Sequence, residues 1–470
     1  MAHVIVAATQ KSSGKTIFAT GLAAALARRG VIVQPFKKGP DYIDPMWLGR
    51  AAGRPCYNLD FHCMEEAEII AAFCRRDRDA DISVIEANKG LFDGIDLQGR
   101  DSNAALASLL GAPVVLVIDS LGMTRGIAPL VLGYLNFDAG VRIAGVVLNK
   151  VGGPRHEAKL RAALEYYTDV PVLGAIGRDR ALEIPERHLG LVPANEADAA
   201  DVMISRLADV VASHVDLDAL VAVAGTAEGP RAAPALVPGP AGTGIGVRVG
   251  IARDAAFGFY YPDDLESLTR AGAELVPFDS IRDHSLPPVD GLFIGGGFPE
   301  TQMAALEANR TMRESIRTAI ARGMPAYAEC GGMMYLSQSL TWNGATHEMC
   351  GALPGHTVMH GRPQGRGYVV LEETGAGPWP MPSSKTGVPT RFPAHEFHYA
   401  SLDDLPGDLA FAYRVVRGHG IDGVHDGIVQ GNLLASFSHL RDVEGNRWAT
   451  RFVNFVRSCG SRMAHRKTAE

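Results

Sequence analysis

An apolar run, Val4–Ala8, opens directly into Thr9-Gln10-Lys11-Ser12-Ser13-Gly14-Lys15-Thr16, and the Ala-rich stretch Thr16–Arg29 follows without a break. A strand, a tight loop ending Gly-Lys-Thr and a helix make a phosphate-binding loop. Its amides and the helix N-terminus face the phosphates, the lysine reaches the outer ones, and the threonine hydroxyl meets Mg²⁺. Ser12, Ser13, Gly14, Lys15 and Thr16 are the expected nucleotide contacts. Thr9 stands where the pattern usually has its first glycine, so the flanking strand and helix carry the assignment.

Such a unit belongs in a parallel sheet, and the next 200 residues supply one. Val31–Phe36, Ile82–Glu86, Val114–Asp119, Ile143–Asn149 and Val172–Ile176 are β-branched runs of strand length, separated by helical stretches such as Ser102–Leu110 and Arg155–Tyr167. Apolar strands alternating with helices predict a doubly wound, mostly parallel α/β sheet. Residues 221–246 shift to Ala, Gly and Pro and read as a linker. A second α/β series follows: strands Val247–Ala252, Leu275–Phe278, Gly291–Ile294 and Ala326–Ala328, with helices near Leu265–Ala271 and Met303–Arg322. The expected organisation is two α/β domains, 1–220 and 247–457, each a mostly parallel doubly wound sheet, then a polar, frayed tail at 458–470.

Composition agrees. With 47% hydrophobic and 21% charged residues, a 470-residue chain can bury a large core. A net charge of −7 gives no reason to expect nucleic acid or an anionic membrane. The most apolar stretch, Ala104–Ile118, is broken by Ser108, Gly111 and Pro113 and does not read as a membrane span. The six cysteines form no CxxC pair and no zinc pattern, which predicts a reducing, cytoplasmic setting.

A nucleotide with its metal needs carboxylates. Glu86 closes a strand, Asp93 follows in Gly90-Leu91-Phe92-Asp93-Gly94, and Asp119 closes another strand as a rival ligand. Ligands of parallel sheets gather at strand carboxyl ends. Asn149, at the end of Val146–Asn149, is placed to read the adenine edge. The segment Phe36-Lys37-Lys38-Gly39-Pro40-Asp41-Tyr42-Ile43-Asp44-Pro45 leaves a strand with two lysines and two acids around one aromatic, and reads as a substrate and metal loop.

The second half carries a nucleophile. Pro325–Glu329 turns at Cys330-Gly331-Gly332 into a helix, an elbow that exposes its tip; a cysteine at a helix N-terminus favours the thiolate. Gly331, and Gly297 at the end of Gly295-Gly296-Gly297, are the expected oxyanion donors. His439 is the candidate base, with His395 and His398 of Ala394-His395-Glu396-Phe397-His398-Tyr399 as competitors; Cys56, Cys63, Cys74, Cys350 and Cys459 read as inert.

Taken together, the phosphate loop, GPDYIDP at 39–45, the Glu86-to-Asp93 segment, FGFYYPDDLE at 257–266, GGGFPE at 295–300, YAECGGMMYL at 327–336 and HEFHY at 395–399 resemble the cobyrinate a,c-diamide synthase family over nearly the whole chain. The resemblance implies a dethiobiotin-synthetase-like P-loop ATPase domain joined to a flavodoxin-like, class I glutamine-amidotransferase-like domain. It implies ATP, Mg²⁺, L-glutamine and a tetrapyrrole acid as ligands. Thr16, Asp41 and Glu86 are then the expected metal ligands, and Lys37, Asp41, Tyr42, Asp44 and Asp93 the residues at the substrate and the transferred phosphate. Cys330 and His439 would hydrolyse glutamine. The usual third glutaminase residue, a glutamate two places after the histidine, is absent, because Leu440-Arg441 follow His439; the family characteristically lacks it, which predicts a base without its orienting acid.

Lys38, Ala87-Asn88-Lys89 and His62 depart from the family pattern around one pocket and point toward an unusual tetrapyrrole, with siroheme and nickel sirohydrochlorin as alternatives to cobyrinate. The implied chemistry is ATP-driven amidation: phosphorylation turns an unreactive carboxylate into an acyl phosphate, and glutamine supplies neutral ammonia along a sequestered path. The competing readings are cobyric acid synthase and a nucleotide-dependent binding protein with an inactive glutaminase-like domain. A homodimer is one assembly the sequence allows.

Overall fold

The computed structural model describes residues 2–179, 186–187, 190–196, 200–230, 246–382 and 389–467. The chain divides into two units, Met1–Leu236 and Val237–Glu470. Among the described residues no helix is long and apolar enough to cross a membrane.

In the first unit, β1 (Ala2–Ala8), β2 (Val33–Lys38), β3 (Tyr57–Leu59), β4 (Ile82–Glu86), β5 (Val114–Asp119), β6 (Ile143–Val151) and β7 (Val172–Gly177) form one sheet in the order β3-β2-β4-β1-β5-β6-β7. Every pairing in it is parallel. β1, β4 and β5 are buried almost throughout, which is why they read as unbroken apolar runs rather than as alternating ones. Three neighbours in this sheet, β2, β4 and β1, end side by side: Glu86 is level with Lys37 on one flank and Val6 on the other. The loop into α1 (Lys15–Arg28) and the loop into α2 (Ile43–Ala52) both leave from that edge.

The second unit holds a nine-stranded sheet in two halves. Ala273–Phe278, Val247–Ala252, Gly291–Ile294, Ala326–Glu329 and Leu433–Ser436 run parallel in that spatial order. His425–Gln430, Ala410–Arg417, Gly365–Glu373 and Arg391–His398 continue it antiparallel. The α/β class stands as read from the sequence; the antiparallel half goes beyond that reading.

Three local features also differ. The stretch read as one helix at Met303–Arg322 is two, Met303–Ala308 and Arg310–Ala321. Asn309 breaks it: Oδ1 accepts from the Met312 N–H, and Nδ2 donates to the carbonyls of Ser280, Ile281 and Asp283. The helix Leu217–Gly225, capped by Asp216, runs into the Ala- and Gly-rich stretch read as a linker, whose residues 231–245 lie outside the described ones. The helix Trp448–Lys467 continues past Arg457, where a frayed tail was expected. Its buried Phe452, Val456 and Cys459 recur at helical spacing and pin that face.

The turn after Ala326–Glu329 packs with no room to spare. A Cβ on Gly332 would lie 2.1 Å from the Ile294 carbonyl oxygen. Gly332→Ala is therefore expected to destabilise the second unit by about 2 kcal/mol or more. Gly460→Ala, at an exposed helical position with nothing within 4 Å, is expected to stabilise it by about 0.5–1 kcal/mol. Urea unfolding of the two variants checks both signs.

Candidate functional site

Each unit carries a cluster of buried polar groups at the carboxyl edge of its parallel strands. In the first, Gly14 takes φ 91°, a left-handed conformation glycine adopts without strain, and turns the chain into α1. The loop is braced from within and from β6: the Ser13 hydroxyl donates to the Gln10 carbonyl (2.9 Å), and Asn149 Nδ2 donates to the Ser13 carbonyl (2.8 Å). Asn149 thus holds the phosphate loop directly. Lys150 reinforces it, donating to the Ser12 carbonyl (3.1 Å) while pairing with Asp119 (2.7 Å). Asp119, the rival metal ligand, is engaged there.

Lys37 sits at the centre, its side chain 3% exposed. Its Nζ lies 2.5 Å from Asp44, 3.1 Å from Glu86 and 3.7 Å from Asp41. Burial alone would lower its pKa; Asp44, Glu86 and Asp41 outweigh burial and raise it. Burial and the Asp44 carboxylate in turn raise Asp41, whose side chain keeps one open flank, and burial raises Glu86. Lys15 is brought down to about 8 by burial, with Glu86, Asp44 and Asp93 opposing the shift and Lys37 adding to it.

The Thr16 hydroxyl lies 2.5 Å from Glu86 Oε1 and 3.3 Å from Asp44 Oδ2. Glu86 is fully buried, and its Oε2 takes no hydrogen bond beyond the ion pair with Lys37. Among the described residues no three acidic, histidine or cysteine side chains close into a metal cage. Thr16, Asp44 and Glu86 instead offer an open, all-oxygen set, which suits a hard cation that keeps water and phosphate ligands. Asp41 is less available than expected: its Oδ1 accepts from the Ile43 and Asp44 amides and caps α2, leaving Oδ2 alone toward the cluster. Tyr42, the residue before α2, is buried. Asp93 sits on its own exposed loop, with Oδ2 accepting from the Gly90 amide, and its charge still reaches Lys15. Asn58, unassigned in the sequence, fastens the loop by donating to the carbonyls of Gly39 and Asp41 (both 2.8 Å).

In the second unit Cys330 sits at φ 47°, ψ −106°, between the strand Ala326–Glu329 and the helix Gly331–Leu336. Its amide donates to the Ser436 carbonyl at 2.7 Å. A strained nucleophile of this kind is held only where its surroundings fix it. Gly331 and Gly297 meet backbone to backbone: a Cβ on Gly331 would lie 2.8 Å from the Gly297 oxygen, and one on Gly296 would lie 2.7 Å from His439 Cε1. The glycines are what let the nucleophile, the base and the amides share one space.

His439 is the histidine at the nucleophile. It is buried and hydrogen-bonds Cys330, and its Nδ1 lies 3.3 Å from Glu329 Oε2. Burial opposes its charge, but Cys330 and Glu329 prevail and push its pKa up to about 10. His395 stacks on it (centroids 4.9 Å, 14°) and pairs with it through the backbone. His398 turns elsewhere, with Nδ1 on the Ala400 carbonyl and its ring stacked on Phe437. Sequence reasoning gave Glu329, whose carboxylate meets His439, no role. Arg441, at the position where an orienting acid was looked for, pairs with Asp263 (2.6 Å) over the Tyr261 ring, so part of FGFYYPDDLE braces the segment that carries His439. Burial raises the Cys56 and Cys350 thiols, consistent with inert packing roles.

Comparison with known proteins follows the same division. Residues 4–192 match the CobQ/CobB/MinD/ParA nucleotide binding domain, and residues 248–445 the CobB/CobQ-like glutamine amidotransferase domain. A cobyrinate a,c-diamide synthase of Magnetococcus marinus is 50% identical over 98% of both chains. The enzymes of that name from Methanosarcina acetivorans and Listeria innocua are 42% and 38% identical, over 94% of this chain and 92% and 96% of theirs.

The Lys37 cluster generates a test. Lys37→Met strands buried carboxylates without their cation and is expected to destabilise the first unit by about 3–5 kcal/mol at pH 8. Lys150→Met breaks a pair that is partly exposed and is expected to lose at most about 1 kcal/mol. Protonation relieves Asp41 and Glu86, both already raised, so the Lys37→Met deficit should shrink as pH falls from 8 toward 5. Denaturant unfolding at the two pH values measures it.

Proposed function

The chain belongs to the cobyrinate a,c-diamide synthase family, and on that premise we propose that it uses ATP and glutamine to amidate the a and c acetates of cobyrinate. The observation that carries the reading is the pairing, in one chain, of a buried phosphate-loop cluster around Thr16, Lys37 and Glu86 with a Cys330–His439 pair. Neither half alone suffices: activating a carboxylate is useless without ammonia, and releasing ammonia is wasteful without an activated acid.

In the first unit, the substrate carboxylate oxygen attacks the γ-phosphorus of ATP and ADP leaves, giving an acyl phosphate. Lys15 and the loop amides hold the phosphate charge, while Lys37 holds Asp44 and Glu86 in place by ion pairs. Thr16, Asp44 and Glu86 would hold Mg²⁺, which when bound neutralises phosphate oxygens. Ammonia then attacks the acyl carbon and phosphate departs. In the second unit, Cys330 Sγ attacks the glutamine carboxamide and His439 protonates the departing ammonia; water cleaves the thioester to glutamate.

A second reading, amidation of siroheme or sirohydrochlorin, draws support from Lys38. It is buried near Asp60, Asp101 and Lys89, donates to the Asp101 carbonyl at 2.6 Å, and alters the charge at the end of β2 beside Lys37. Mass spectrometry of products after offering cobyrinate, sirohydrochlorin and siroheme side by side decides between them; two added amides on cobyrinate alone is the expected outcome.

Lys15→Ala is expected to abolish ATP-dependent amidation while glutamine hydrolysis persists. Cys330→Ser is expected to lose glutamine-dependent turnover and keep turnover with high ammonium, because external ammonia bypasses the thioester. ADP release with ammonium as the nitrogen donor and glutamate formation from glutamine, assayed separately, report the two activities. Equal loss of both in either variant, with the fold intact, counts against this division.

A further inference from the structure

We propose that Glu329, the residue immediately before the nucleophile, is the positioning residue of this site: it holds His439 by its Nδ1 edge and supplies, from the nucleophile's own strand, the acid that the sequence lacks after His439. The inference rests on the glutaminase reading of the second unit and is independent of which acid is amidated.

The carboxylate is held from two sides. Oε1 accepts from the Tyr327 hydroxyl at 2.5 Å and from the Leu440 amide at 2.9 Å, leaving Oε2 3.3 Å from His439 Nδ1. Glu329 thus grips both the ring of His439 and the backbone that follows it. It is 3% exposed, so water does not compete for it. Adjacent strand residues normally face opposite sides of a sheet. The left-handed φ at Cys330 breaks that alternation, and Glu329 and Cys330 both reach one imidazole. Two positions after His439, where an orienting acid was looked for, Arg441 pairs with Asp263 instead. The groups facing His439 are Cys330, Glu329 and His395, the last with the Tyr261 hydroxyl 3.4 Å from its own Nδ1.

With Nδ1–H directed at Glu329, Nε2 takes the Cys330 thiol proton, and Sγ bonds to the carboxamide carbon. The resulting imidazolium, flanked by a carboxylate, gives that proton to the nitrogen as the C–N bond breaks. Glu329→Gln keeps size and hydrogen-bonding reach but can present an amide N–H to Nδ1. That favours the tautomer with its proton on Nε2, where a base is needed.

The test measures glutamine hydrolysis and iodoacetamide alkylation of Cys330 from pH 5.5 to 10. Glu329→Gln is expected to lower kcat by about 10²–10⁴-fold with little change in KM, and to move the alkaline limb of both profiles downward; Glu329→Asp restores part of the loss. In a His439→Ala background, Glu329→Gln should add no further slowing of alkylation, because it acts through that ring. An unchanged kcat and pH profile in Glu329→Gln, or an equal loss with His439 absent, overturns the proposal. Should Glu329→Gln not fold, Tyr327→Phe, which keeps the carboxylate and removes one anchor, takes its place: a pH profile displaced in the same direction supports the role, and an undisplaced one overturns it.

Discussion

A single buried ammonium, that of Lys37, is what allows carboxylates to stand together at the edge of the first sheet. Asp44 and Glu86 lie within 3.1 Å of it and Asp41 within 3.7 Å. Without the cation Asp41 and Glu86, already raised by burial, would be driven further toward their neutral forms. Neutral acids would bind a hard cation poorly. The parallel sheet makes the arrangement possible, since β2 and β4 end level and place Lys37 beside Glu86.

The second unit solves a different problem. Glutamine hydrolysis needs a base that alternates between accepting and donating one proton, and a buried imidazole tends to stay neutral. Glu329 and Cys330 reverse that tendency at His439. His395, stacked on the ring and paired along the backbone, limits the directions in which the imidazole can turn. The sequence led us to expect an exposed tip at Cys330, but the thiol is buried, and the use of the strained turn is that it brings two consecutive side chains to one partner.

Much of this was legible in the sequence for identifiable reasons. The strands Ile82–Glu86, Val114–Asp119, Val247–Ala252 and Gly291–Ile294 have the bounds their apolar runs indicated, because buried parallel strands carry little else. The glycine-punctuated loops marked the phosphate loop and the Cys330 turn, since few other residues tolerate those geometries. The rest depends on contacts distant in sequence. Asn149 looked like a base reader because it ends a strand; only the fold brings its amide to Ser13, 136 residues away. Asp41 was expected as the metal ligand of its loop and Asp44 as a substrate contact, yet Asp41 Oδ1 takes the first amides of α2 while Asp44 lies 2.5 Å from Lys37. Glu329 was hidden by the alternation rule itself, which assigns neighbouring strand residues to opposite faces.

Both clusters place their reactive groups where charge must change during the reaction, and both surround them with groups already fixed by other bonds. Ser13 and Asn149 stiffen one loop; Tyr327 and the Leu440 amide stiffen one carboxylate. Preorganised dipoles of this kind need no rearrangement as the transition state forms, which is where they gain over water. Water destroys an acyl phosphate and protonates ammonia, so for the proposed amidation buried and pre-satisfied polar groups are the condition under which either intermediate outlasts the solvent.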